Sequence, residues 1–156
     1  MIDLFFILCA KYLAFVPIII AGIFWLLQKK NKKIEIFFLS LISVVVVGII
    51  ALLSKHIFYD PRPFVVGNFT PLIPHAADNG FPSDHTLLAS FIASVFWLYN
   101  KKIGVTLWII TILVAISRVY VGVHHPIDVI GSILISIVGT WIGYQIFKRR
   151  NKNNIA

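Results

Sequence analysis

Apolar residues gather in five stretches, at roughly 4–27, 34–54, 86–99, 103–121 and 127–147, separated by shorter polar segments. An α-helix rises 1.5 Å per residue, so about 20 residues are needed to cross roughly 30 Å of hydrocarbon. The first, second and fifth stretches meet that length, and the fourth is marginal. The third covers only about 21 Å unless Ser83–His85 extend it. The pattern predicts an all-α fold, a polytopic membrane helical bundle of about five transmembrane helices. No internal repeat or second domain is visible, so residues 1–156 read as a single domain.

Composition agrees with that reading. The chain is 59% hydrophobic and only 13% charged, too apolar for a soluble domain of this length to bury. The net charge of +8 does not indicate nucleic acid, because the basic residues sit in short runs between apolar stretches. Cys9 is the single cysteine, which excludes an intramolecular disulfide. Residues 1–27 lack a basic leader and a small-residue cleavage site, and are expected to belong to the mature protein.

The charges predict an orientation. Lys29, Lys30, Lys32 and Lys33 follow the first stretch, Lys101 and Lys102 the third, and Lys148, Arg149, Arg150 and Lys152 the fifth. Five crossings put all three clusters on one side, which the positive-inside rule makes cytoplasmic. Trp25, Trp97, Tyr99 and Tyr144 fall near that interface, as an aromatic belt does. The N-terminus then faces out and the C-terminus in. Lys55, Arg62 and Arg118 fall at the outer ends, together with the one long connection, about residues 55–84.

Three segments at that outer rim carry chemistry. In the first, Arg62 stands between Pro61 and Pro63 on a stiff, extended stretch, because a residue before proline avoids the helical region. A fixed guanidinium can hold phosphate oxygens in a bidentate fork, and Lys55 can add a point charge. Taken alone, Lys55 could equally snorkel to the interface and Arg62 stand in solvent. In the second, Ser83 or Asp84 can cap a helix whose first turn carries His85, with free N–H groups available to an anion. In the third, Pro126 suits the first helical position and places Asp128 near the third. Its carboxylate can cap the helix, or reach back to His124, fix its tautomer and leave the other ring nitrogen free as a nucleophile. Each segment has an unremarkable structural explanation. Their convergence on one rim, under a topology set by other residues, points to a phosphorylated lipid.

These residues resemble the type-2 phosphatidic acid phosphatase superfamily of integral membrane lipid phosphatases. Lys55, Arg62 and Pro63 match its Lys-x6-Arg-Pro element; Pro82, Ser83 and His85 its Pro-Ser-Gly-His element; Ser117, Arg118 and His124 its Ser-Arg-x5-His element. Asp84 replaces the glycine and is a secondary candidate. Phe81-Pro82-Ser83-Asp84-His85-Thr86, Pro61-Arg62-Pro63-Phe64 and Ile73-Pro74-His75-Ala76-Ala77-Asp78 are similar to the bacitracin-resistance type of undecaprenyl-diphosphate phosphatase. The resemblance implies an active site at the outer ends of the helices. It implies that Lys55, Arg62, Arg118 and Ser83 bind phosphate, that His124 attacks phosphorus, that Asp128 orients it, and that His85 serves as acid and then base. It implies no cofactor and no metal, a lipid diphosphate substrate among membrane lipids, and a bacterial cytoplasmic membrane location. His75, Asp78 and Lys11 receive no role, and His56 and His125 are expected to be structural.

Two other readings use the same rim. One is a phosphatase for phosphatidylglycerophosphate, phosphatidate or another lipid phosphate. The other is a non-enzymatic protein that binds anionic lipid headgroups, which needs the cations but no oriented histidine.

Overall fold

The structure is a computed structural model that describes residues 1–153, with side chains described as far as Arg150. The Lys152 side chain, counted above in the C-terminal cluster, lies outside the described residues. The elements are α1 (Ile2–Tyr12), a 3-10 turn (Leu13–Phe15), α2 (Val16–Leu26), α3 (Lys30–Ile57), the short α4 (Pro63–Val66), α5 (Asp84–Tyr99), α6 (Lys101–Tyr120) and α7 (Pro126–Asn153). The fold is all-α, as the apolar pattern predicts.

The first apolar stretch is not one continuous helix. Pro17 has no N–H to give the Leu13 carbonyl, and the chain tightens into the 3-10 turn before resuming as α2. Lys11 lies in the last turn of α1 with its side chain exposed.

Among the described residues four segments, rather than five, are long and apolar enough to cross a membrane: Ile2–Leu26, Lys30–Ile57, Lys101–Tyr120 and Pro126–Arg150. The third predicted crossing, α5, has 16 residues, or about 24 Å. It packs against α2, α3, α6 and α7, and Thr86, Ala89, Ser90, Ile92, Ala93 and Val95 are buried along it. A helix enclosed by its neighbours need not match the hydrocarbon thickness by itself.

The bundle has two chemically different ends. At one, Lys33 lies over Trp25, Lys101 over Trp97 and Lys32 over Tyr99. These are the basic runs and aromatic residues that the sequence assigns to one interface. At the other end lie the α3–α5 connection and the α6–α7 turn. The connection is less irregular than the sequence implied. It contains α4, a bridge between Pro61 and Asn79, and a bond from Gly80 N to Asp60 O.

Small residues hold the long helices together. A Cβ on Gly143 would lie 2.7 Å from Ser43 Cα, and one on Gly139 would lie 3.0 Å from Val47 Cα. Between α5 and α7, Ser90 donates to Ser136 at 2.8 Å, and Ser136 donates to the Leu87 carbonyl at 3.0 Å. Within lipid, helices associate through close packing and hydrogen bonds, because the tails are as apolar as the side chains. Gly143→Leu is therefore expected to destabilise the α3–α7 contact by about 1–3 kcal/mol through overpacking. Gly22→Leu, at a position with nothing within 4 Å of the added Cβ, should leave stability unchanged. Thermal unfolding in detergent measures both, and equal stability of the two variants would contradict this account of the packing.

Candidate active site

α3 stops at Ile57, and the chain runs extended through the two prolines around Arg62, which has φ −59° and ψ 150°. Arg62 is 5% exposed, so it is not the solvated surface cation that its sequence context alone would allow. Its Nε donates to Asp78 Oδ1 at 2.7 Å and its Nη1 to the Val123 carbonyl at 2.8 Å. Nη1 also lies 3.4 Å from His124 Nε2. The guanidinium is thus fixed at Nε and Nη1, and Nη1 also faces the histidine.

His124 comes from the tight connection between α6 and α7, which turns through Gly122 at φ +80°. Pro126 opens α7, and Asp128 occupies its first turn with no exposed surface. Asp128 Oδ2 accepts from the His125 backbone N–H at 2.9 Å and lies 3.2 Å from His124 Nδ1. The two readings offered for this carboxylate, cap and histidine partner, hold simultaneously. The contact places the proton of neutral His124 on Nδ1 and leaves the Nε2 lone pair facing Arg62.

Arg118, at the end of α6, is 2% exposed and, among the described residues, makes one side-chain hydrogen bond, from Nη1 to the Ala10 carbonyl at 3.3 Å. Its buried Nε has no partner among them. A guanidinium has five N–H donors, so this one keeps unusual capacity for an anion. Ser83 is the N-cap of α5 by position, yet its side chain does not cap the helix. Its buried Oγ instead accepts from Thr86 Oγ1 at 3.2 Å, which leaves the Ser83 proton free to be donated. His85 follows in the first turn, half-buried, while Asp84 is exposed.

Lys55 does not join this group closely. It lies on the last turn of α3 with its side chain exposed, and its ammonium makes no hydrogen bond or ion pair among the described residues. Only its backbone carbonyl is engaged, by Asn79 Nδ2 at 3.1 Å.

Several residues without a motif prove central to the geometry. Asn79 Nδ2 also donates to Phe58 O at 3.0 Å, and Asn79 Oδ1 accepts from Asp60 N and Phe81 N, each at 3.0 Å. One amide therefore ties both ends of the connection together. Asp60 Oδ2 lies 2.8 Å from His125 Nδ1, which gives the expected structural role of His125 a partner. Gly80 must lack a side chain, because a Cβ there would stand 2.9 Å from Asp128 Oδ2. Asp60, His125 and Asp128 bring one ligand atom each within 4.8 Å of one another and could gather around a cation. In the structure Asp128 Oδ2, His125 Nδ1 and Asp60 Oδ2 are already engaged within the His124–Asp128–His125–Asp60 chain, while Asp128 Oδ1 has no partner among the described residues. A sequence offers no signal for such pairings, since the partners of Asp60 and Asn79 lie up to 65 and 24 residues away.

The histidines feel an excess of positive charge. Burial, then the Arg118 charge, takes His85 down to about 4, against an opposing pull from Asp84. Burial also lowers His124; the Asp128 hydrogen bond opposes this, and the Arg118 and Arg62 charges add to the lowering. Desolvation works to raise Asp78, but the hydrogen bond and charge of Arg62 outweigh it and hold the carboxyl below its usual range. Neutral imidazoles beside fixed guanidiniums suit an anionic ligand and nucleophilic or proton-transfer chemistry.

The family model described as the PAP2 superfamily matches residues 36–152, which carry all of these groups except the Ala10 carbonyl. The chain belongs to the PAP2 superfamily. Among its relatives, the undecaprenyl-diphosphatase BcrC of Bacillus subtilis is 36% identical over 124 residues, covering 80% of this chain and 62% of that protein. An undecaprenyl-diphosphatase of Sulfolobus acidocaldarius is 39% identical over 124 residues, covering 76% of this chain and 56% of that one. The crystal structure of Aquifex aeolicus LpxE superposes with a TM-score of 0.69 at 29% identity, over 92% of this chain and 86% of that chain. The chain spans about three-fifths of the length of these two curated relatives.

Because the Asp128 carboxylate raises the His124 pKa against burial, Asp128→Asn should move the His124 titration to lower pH. NMR of labelled histidine in detergent reads this directly. An unchanged titration would mean that the contact between the two side chains is not maintained.

Proposed function

We propose that this protein hydrolyses undecaprenyl diphosphate to undecaprenyl phosphate and phosphate, without a metal, at the outer face of a bacterial cytoplasmic membrane. In this role it recycles the cell-wall lipid carrier and confers resistance to bacitracin. The observation that carries the reading is His124, held through Nδ1 by Asp128 with Nε2 directed at the Arg62 guanidinium. Lipid-headgroup binding alone needs the cations but not that orientation.

The steps follow from the positions. Arg62, Arg118 and the Ser83 hydroxyl hold the terminal phosphate, with Lys55 contributing charge from the rim. The Nε2 lone pair attacks the terminal phosphorus as the bond to the bridging oxygen breaks. Undecaprenyl phosphate departs and a phosphohistidine remains. Water then attacks this phosphorus, the P–N bond breaks, and His85 takes the water's proton. Asp128 stabilises the positive charge that His124 acquires. Fixed guanidiniums in a water-poor site stabilise the charge developing on the phosphoryl oxygens without reorganising.

Undecaprenyl phosphate leaves readily without a proton, whereas an alkoxide does not, so hydrolysis of a diphosphate does not require His85 to be protonated in the free protein, where burial and the Arg118 charge take it down to about 4. The two undecaprenyl-diphosphatase relatives support the same substrate class. The basic clusters at the opposite end of the bundle support the orientation through the positive-inside rule.

Phosphate release from undecaprenyl diphosphate in detergent, with excess chelator, tests the proposal. Activity should survive the chelator and fall at least about a thousandfold in His124→Ala, as expected for loss of a nucleophile. Release from phosphatidylglycerophosphate or phosphatidate, but not from the diphosphate, would transfer the reading to another lipid phosphate. An active His124→Ala would remove the nucleophile assignment.

The pH profile has a predicted sign. His124 attacks only when neutral, and its pKa lies below the ordinary 6.5. kcat/KM should therefore hold down to pH 6.5 and fall only below it. An acid limb centred at or above pH 6.5 would contradict the electrostatic account of His124.

A further inference from the structure

His75 is a half-buried histidine on the connection between α4 and α5 that the steps above do not use. Two anchors bracket it. On one side Ile73 is buried against Ala10, Val121 and Val123, and Leu72 N donates to Val121 O at 3.0 Å. On the other, Asp78 is ion-paired with Arg62 at 2.7 Å. The loop between these anchors sets the His75 ring 6.1 Å from the His124 ring, centroid to centroid, at an interplanar angle of 73°. Its Nδ1 faces the Ala76 carbonyl at 3.4 Å, and its Nε2 has no hydrogen-bond partner among the described residues. A position that the loop holds beside the attacking histidine, with a ring nitrogen unengaged, is suited to contact a bound substrate.

Arg62 and Arg118 account for one phosphoryl group. A diphosphate brings a second anionic phosphate, and no residue assigned so far is dedicated to it. We propose that His75 binds the second, non-transferred phosphate of the lipid diphosphate through Nε2, and is the residue by which this site prefers a diphosphate over a phosphomonoester. The inference rests on the functional reading above. The groups facing His75 are Arg62, Arg118, His124, His85 and Asp78. Burial first, then the Arg62 charge, keeps the imidazole neutral in the free protein. The second phosphate offsets that positive field, so the ring takes up one proton from solvent on binding. Nδ1–H then faces the Ala76 carbonyl, and Nε2–H donates to a phosphate oxygen as a charge-assisted hydrogen bond.

The test compares wild type, His75→Ala and His75→Gln on undecaprenyl diphosphate and on a lipid phosphomonoester, each variant first shown to unfold at the wild-type temperature. His75→Ala should lose about 10- to 100-fold in kcat/KM on the diphosphate, the range for a hydrogen bond to a charged group. On the monoester it should change less than about threefold, being outside that contact. His75→Gln, which keeps a donor, should fall between wild type and alanine on the diphosphate. Equal losses on both substrates would make His75 a structural residue and overturn the proposal. A wild type that prefers the diphosphate, with His75→Ala keeping the same preference, overturns the role of His75 alone. A wild type with no preference for the diphosphate overturns the functional reading and the role of His75 with it.

Discussion

The Asp128 carboxylate is the contact on which the rest of the site depends. It has no exposed surface, and a charge removed from water is costly unless protein groups replace the lost hydration. At Oδ2 those groups are the His125 N–H and the Nδ1 proton of His124, while the buried Oδ1 has no hydrogen-bond partner among the described residues. Each partner is also organised by the carboxylate that it stabilises. The helix start is capped, the tautomer of His124 is set, and the α6–α7 turn is locked. The absence of a side chain at Gly80 is equally necessary, because the connecting loop passes close to Asp128.

A second set of contacts brings Arg62 to that point. The guanidinium is held by a carboxylate and two backbone carbonyls drawn from separate parts of the chain, Asp78, Val123 and Asn79. Asn79 binds the two ends of the long connection, so the loop carrying His75 and Asp78 is part of the same construction. Arg118 is treated differently. It is equally buried but far less satisfied, which reserves its donors for a ligand. One arginine is positioned by protein and the other is left to be completed by an anion.

The bundle beneath serves this arrangement through close packing of small residues. Gly139 and Gly143 let α7 approach α3, and serine hydroxyls join α5 to α7 below Asp128. Ser132 Oγ links the two elements at the site itself, donating to the Asp128 carbonyl at 2.7 Å and to the Ser83 carbonyl at 3.0 Å. The Ser83–His85 segment is thereby registered against the turn that carries His124.

Much of this could be read from the chain alone, because the signals are local. Hydropathy runs mark the helices, since backbone in hydrocarbon must satisfy its own hydrogen bonds. Pro61 and Pro63 fix an extended Arg62, and Pro126 with Asp128 marks a helix start whose carboxylate points back to His124. Basic runs and aromatic residues gather at one end of the bundle. Other features depend on distant partners, and only the tertiary structure decided them. The short α5 is an enclosed helix rather than a fifth qualifying span, Lys55 stays at the exposed rim, and the first span breaks at a 3-10 turn. Asn79 and Asp60 carry no motif, and the segment that holds His75 and Asp78 gives neither a role, because their positions arise from contacts made across the fold. Periodicity and proline report what the backbone does within a few residues. Where a guanidinium, a carboxylate and an imidazole meet is determined by packing among elements far apart in sequence.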